Sequence, residues 1–243
     1  MQLLDSISFE CASVEPQFKT PSFENIVAPA LYTQPLEALI AQQGDISRAT
    51  VEAFIKQGFQ QVHQASIHSF MPSLLYLRKY GLIQSALGVR VCSENTFLAQ
   101  YFDQPLAQEL NQSGFQVELQ DCVEIGNLRS ISNTYTQHLF LMAVLALSLR
   151  DKSVMLFTAI PPVVNILVKH NIPYVELAAA DESRVSGGPD SWGSYYQHKP
   201  MVMAVRIADV ISCIAESKLL SALSLTFDGL IQQLAEQLED AGV

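Results

Sequence analysis

The segment Val123-Glu-Ile-Gly-Asn-Leu-Arg-Ser-Ile-Ser holds the residues best suited to chemistry. Side chains alternate along an extended chain, so Glu124, Gly126 and Leu128 share one face and Val123, Ile125 and Asn127 the other. A carboxylate near the end of an apolar strand is costly to bury alone. Glu124 therefore either forms a structural ion pair with an arginine or stands in a cleft with a perturbed acidity, ready to take a proton. Ser130, Ser132, Asn133 and Thr134 follow and are helix-capping types. A helix that starts after a strand offers free backbone N–H groups and a positive dipole end, which suits phosphate or pyrophosphate. The plain alternative is an ordinary helix cap.

Arg90, at the end of an apolar stretch, is the first choice as partner of Glu124 or as substrate clamp, and Arg129 is the second. Either also reads as a solvated surface residue. The only tryptophan, Trp192, sits in a polar loop beside Tyr195 and Tyr196. Such a cluster suits a ligand or an interface, or else staples its loop to the body. Tyr195 or Tyr196 is a candidate general acid. His63, His68, His138, His170 and His198 show no HxH or HExxH spacing, so no metal is expected. Cys11, Cys92, Cys122 and Cys213 form no CxxC. Cys122 and Cys213 lie in apolar runs and are expected as buried thiols, in a reducing compartment. G-x-S-x-G, P-loop and G-x-G-x-x-G motifs are absent.

The elements that must position these residues follow from periodicity. Residues 1–25 contain Pro16 and Pro21 without a clear period and read as an extended arm. Val51, Phe54, Ile55, Phe59 and Val62 predict a helix over about 48–64, with Ser47 or Thr50 as cap. Residues 72–90 predict a β-hairpin turning at Arg78-Lys-Tyr-Gly81, with Gly88 marking a bulge or a close approach. Short helices broken at Pro105 come next, then a strand over 116–128. A buried helix spans Tyr135–Arg150, and an apolar strand covers Val154–Ala159. A helix opening at Pro161-Pro162 and stopping near Asn171 precedes a strand over 172–177. This alternation predicts a parallel βαβ core. Residues 178–199 form a long polar loop of the kind that often carries function. A strand over 201–205 and one amphipathic helix through Leu223, Phe227, Leu230, Ile231, Leu234 and Leu238 complete the chain.

Composition bounds the answer. The 243 residues suit one large domain, or a domain with an appendage. With 24 acidic against 14 basic residues the net charge is -10, which repels phosphate backbones and argues against nucleic acid. The apolar run Leu139–Leu149 is shorter than the roughly 20 residues a transmembrane helix needs. The start MQLLDSISFE lacks a basic region and is interrupted by Asp5, so no signal peptide and a cytoplasmic location are expected.

From about Val51 to Val205 the sequence resembles the thermostable haemolysin family of bacteria. The blocks FLAQYFDQP, EIGNL, FTA and WGSYY, in that order and spacing, carry the resemblance. That family is similar in layout to the GNAT N-acyltransferases and the acyl-homoserine-lactone synthases. The resemblance implies an α/β (α+β mixed-sheet) three-layer domain with splayed central strands, an N-terminal arm and a C-terminal amphipathic helix. The expected divisions are 1–45, 46–210 and 211–243. It places Glu124–Leu128 and Val154–Ala159 on the splayed pair, with Glu124 matching the strand glutamate of the lactone synthases. The acetyltransferase pyrophosphate loop carries glycines, whereas Arg129–Tyr135 has none. The lactone synthases have arginine where Asn127 stands.

The expected activity is acyl transfer from a thioester donor, acyl-CoA or an acyl carrier protein, to a small amine or similar acceptor. Glu124, Tyr195 and Tyr196 are the catalytic candidates. Arg90, Asn127, Arg129, Ser132, Asn133, Thr134, Thr158 and Trp192 are the binding candidates. Two other readings stand beside it: a membrane-acting cytolysin, and an inactive fold that binds a partner and lacks an open cleft after Glu124. The C-terminal helix is a candidate oligomer contact.

Overall fold

The computed structural model describes residues 35–185 and 191–243, so the expected arm over 1–25 lies outside the described residues. Seven strands form one sheet in the order β1-β2-β3-β4-β5-β7-β6. They are β1 Glu37–Ala41, β2 Ser73–Lys79, β3 Leu82–Val91, β4 Cys122–Ser130, β5 Val154–Ala159, β6 Val175–Ala179 and β7 Met201–Arg206. The helices are α1 Arg48–His63, α2 Leu106–Gln112, α3 Asn133–Leu149, α4 Pro161–Lys169, α5 Ile207–Glu216, α6 Lys218–Thr226 and α7 Asp228–Asp240.

The β2–β3 hairpin turns at Tyr80-Gly81, both with positive φ (53° and 75°), the backbone a tight two-residue turn requires. On one sheet face lies α3, with α5, α6 and α7 around it, and α7 also reaches β1. Leu139, Met142 and Leu147 of α3 are inaccessible to solvent. Each such side chain contributes about 1.5–3 kcal/mol of burial. The opposite face is covered in two patches. α1 lies over β2–β4, and residues 97–119 with α2 cover the β4–β5–β7 end.

β4, α3 and β5 form the expected parallel unit, but β6 does not extend it. β7 inserts antiparallel between β5 and β6. Val202, Met203, Ala204 and Val205 are buried and suit an interior slot, whereas β6 is only half-buried and stands at the edge. The C-terminal helix is broken into α6 and α7 at Phe227, whose ring packs against His138 with centroids 4.9 Å apart. β4 begins at Cys122, after a 3-10 turn over Leu119–Asp121, rather than at residue 116. Cys122 is buried as expected, and so is Cys92, while Cys213 is only half-buried.

One irregularity shapes everything that follows. Ala86 pairs with Arg129 and Gly88 with Gly126, so β4 takes three steps where β3 takes two. The extra residue is a bulge, and Asn127 carries it with φ 49°. On its other side β4 pairs with β5 only from Cys122↔Val154 to Ile125↔Phe157. Beyond that point the two strands part.

Candidate active site

Where β4 and β5 part, a cavity of about 450 Å³ opens through the sheet. That volume lies in the range of small-molecule sites. Its lining comes from α1, the 69–71 segment, residues 97–101, β4, α3, β5, α4 and the 192–196 segment. A smaller apolar cavity of about 70 Å³ lies among α3, α4, α5 and the sheet, and shares Ile125, Phe140, Phe157, Val163 and Ile166 with the first.

Glu124 lies on the wall of the larger cavity with only 1% of its surface exposed. Its Oε1 accepts a hydrogen bond from the backbone N–H of Leu98 at 3.2 Å. Among the described residues its Oε2 has no hydrogen-bond partner, and the nearest cation, Arg90 Nε, is 3.5 Å away. Burial pushes the Glu124 carboxyl up to about 7, against the opposing pull of Arg90 and the N–H groups of Phe97 and Leu98. A carboxylate so poised exchanges protons near neutrality.

Asn127 acts on the backbone around it. Its Oδ1 accepts from Met71 N–H at 2.9 Å, and its Nδ2 donates to Ser69 C=O at 3.3 Å. Met71 then lies across Gly88 and Gly126. A Cβ at Gly88 would fall 2.8 Å from Met71 Cβ, and one at Gly126 would fall 2.7 Å from Met71 Cε. Buried Arg48 holds the same segment from behind, donating to the carbonyls of Ala41, Met71 and Pro72 at 2.7–3.0 Å.

The 191–198 segment is tied to the end of α1. Ser66 and Ser191 exchange backbone hydrogen bonds of 2.7 and 3.0 Å, and Ser194 N–H donates to His63 C=O at 2.8 Å. Gly193 has φ 53° and passes so close that a Cβ would overlap His63 C=O, so no larger residue fits. Trp192, Tyr195 and Tyr196 are thereby both stapled to the body and set on the cavity wall. Their rings, with Phe59 and Phe97, form a continuous set with centroids 5.3–6.4 Å apart. The hydroxyls of Tyr196 and Tyr101 are 2.6 Å apart. Burial raises the pKa of Tyr101, Tyr195 and Tyr196, so all three keep their protons at neutral pH. Burial first, and His198 second, lowers that of His63.

Of the residues singled out in the sequence, Glu124, Arg90, Asn127, Arg129, Asn133, Thr158, Trp192, Tyr195 and Tyr196 line this one cavity. Ser132 and Thr134 do not. Ser132 caps α3, its Oγ accepting from Tyr135 N–H at 3.4 Å, and Thr134 is exposed. The Arg129 side chain lies against Gly58, stacks over Phe54 with its guanidinium 5.6 Å from the ring centre, and donates to Gln61. Sequence reasoning missed Tyr101, Met71 and His63. Tyr101 lay in the FLAQYFDQP block, which was a usable signal. Met71 and His63 carried none. Among the described residues no group of three or more His, Cys, Asp or Glu side chains could hold a metal ion.

The family profile described as thermostable hemolysin matches residues 41–211. Comparison with curated protein sequences finds no match. Solved structures share the fold. FeeM, an N-acyl amino acid synthase from uncultured soil microbes, superimposes with a TM-score of 0.54 and 10% identity, over 77% of this chain and 97% of that one. The AHL synthase LasI gives 0.48 and 7%, over 71% and 90%. BjaI, a CoA-dependent acyl-homoserine lactone synthase solved with SAM and isopentyl-CoA, gives 0.48 and 8%, over 81% and 90%.

Proposed function

The chain belongs to the thermostable hemolysin family, and from that premise we propose that it is an acyltransferase, moving an acyl group from a thioester donor to an amine. The observation that carries this reading is Glu124: a buried carboxyl raised by burial to about 7, with one oxygen unpartnered among the described residues, on a residue that lines a cavity opening between two parted strands. FeeM, of the same fold, is an N-acyl amino acid synthase.

On this reading the thioester, of coenzyme A or of an acyl carrier protein, lies between β4 and β5, and its acyl tail extends over Phe157 and Phe140 toward the smaller apolar cavity. Asn133 and Thr158 border the donor's path. Glu124 takes a proton from the ammonium of the acceptor, directly or through one water. The amine attacks the thioester carbonyl carbon, forming the C–N bond. Beyond Ile125 the β5-facing edge of β4 has no strand partner among the described residues, leaving backbone groups available to the oxyanion. Collapse breaks the C–S bond, and the second proton of the attacking nitrogen passes to the thiolate, with Tyr196, hydrogen-bonded to Tyr101 on the cavity wall, as a relay that gives one proton and takes up the other. The products are an amide and a free thiol.

The test is thiol release by purified protein from acyl-CoA and acyl-carrier-protein thioesters of graded length, with a panel of amines and amino acids. Acceptor-dependent thiol release that falls roughly 10²–10⁴-fold in Glu124→Gln supports the reading. Undiminished turnover in that variant sinks the role of Glu124. Haemolysis by the purified protein with no donor, and no thiol release from any donor, overturns the acyltransferase reading in favour of direct membrane action.

A further inference from the structure

Two cross-strand Arg–Glu pairs lie in the same sheet, and they differ. Arg78 and Glu37 sit directly opposite each other on β2 and β1 and close into a two-bond fork of 2.6 and 2.9 Å. Arg90 and Glu124 sit opposite each other on β3 and β4 in the same way. Their closest contact is 3.5 Å, and among the described residues neither Arg90 Nε nor Glu124 Oε2 has a hydrogen bond, although both atoms are buried. A charge-assisted bond is expected at about 2.7–2.9 Å, and a buried charge left short of its partners is unfavourable. Both side chains line the cavity. The unclosed pair is thus a matched cation and anion in the wall of that space, each short of a partner.

We infer that the acceptor is an α-amino acid with a large apolar or aromatic side chain, its carboxylate on Arg90 and its amino group on Glu124; this rests on the acyltransferase reading. An amine without a carboxylate would bring a second cation beside Arg90. A zwitterion adds no net charge and supplies the partner each group lacks, on atoms one carbon apart. The side chain is accommodated by the rings beside the pair: Phe59, Phe97, Tyr101, Trp192 and Tyr195. Two polar atoms within this aromatic wall, Trp192 Nε1 and His63 Nδ1, are also buried without a hydrogen bond. The indole N–H can donate only to an acceptor, so a side chain with an oxygen at its far end is favoured over a plain hydrocarbon.

The discriminating experiment compares phenylalanine with two analogues that each lack one group: phenethylamine, without the carboxylate, and 3-phenylpropionate, without the amine. Product is followed by mass spectrometry with a saturating acyl thioester, and binding of each without donor by calorimetry. Phenylalanine is expected to exceed phenethylamine by about 10–100-fold in kcat/KM, the range for one charged hydrogen-bonding group. 3-Phenylpropionate is expected to inhibit competitively against phenylalanine. In Arg90→Met the phenylalanine-to-phenethylamine ratio falls to about one, and Arg90→Lys restores part of it. A ratio near one in the unaltered protein, or a ratio unchanged in Arg90→Met, overturns the inference while amine acylation itself still supports an acyltransferase. Acylation of neither compound, with binding of neither, overturns the inference, and the acyltransferase reading falls with it only if no amine of the panel releases thiol from any donor.

Discussion

Replacing Glu124 by glutamine removes a charge without changing shape, and the consequence for stability follows from burial. In the unfolded chain the carboxyl titrates near its ordinary 4.5, and in the folded protein near 7. The folded state therefore favours the protonated form. Its stabilising effect is complete below about 4.5, declines as the unfolded chain ionises first, and is lost once the pH passes 7. At roughly 1.4 kcal/mol per tenfold change in acidity, the full penalty above neutrality is about 3 kcal/mol. Glu124→Gln carries no such penalty. Urea unfolding of both proteins at pH 5.0 and 8.5 should show the variant gaining about 2–3 kcal/mol on the wild type over that interval. On the acyltransferase reading the same titration governs activity: kcat/KM should rise through about pH 7 in the wild type, and this limb should be absent from the residual activity of the variant. If the stability difference is the same at both pH values, the carboxyl ionises as in water. The argument from its burial is then wrong.

Gly88→Ala should destabilise by about 1–3 kcal/mol in urea unfolding, because its Cβ meets both Met71 Cβ and Asn127 Oδ1. Gly126→Ala should cost less, since only the mobile end of Met71 must move. Asn127→Ala, which strips the hydrogen bonds to residues 69 and 71 and keeps a strained φ, should lower stability by about 1–3 kcal/mol, and Asn127→Gly should recover the part due to strain. Arg48→Met should cost about 3 kcal/mol or more in the same assay, because three carbonyls lose a buried donor. It should also weaken substrate binding, through the loosened Met71 segment.

The local rules of the chain were legible where a few neighbouring residues decide the outcome. Tyr80-Gly81 sets its own turn, Pro161-Pro162 opens α4, and the apolar run of α3 has to be buried. Glu124 was legible because a carboxylate inside an apolar strand needs a reason. What failed depends on distant partners. Nothing local states that β7 enters between β5 and β6, and nothing after Leu223 states that the helix breaks at Phe227. Asn127 reads as a substrate contact and does line the cavity, but its part as the hinge of a bulge was not legible, because its side chain meets the backbone 56 and 58 positions upstream. The Leu98 N–H that holds Glu124 belongs to the backbone, which no side-chain pattern can announce.

The bulge at Asn127 has a consequence for the order of events. A closed sheet is a wall, and ligands on its two sides never meet. Here the wall has a slit. The α1 side carries Arg90, Glu124 and the aromatic rings, while the α3 side carries Phe140, Val163 and Ile166. Two co-substrates arriving from opposite sides do not obstruct each other's entry, and both can be bound at once. Under acyl transfer, initial-rate plots should intersect rather than run parallel, no acylated protein should accumulate, and either product should be able to leave while the other remains.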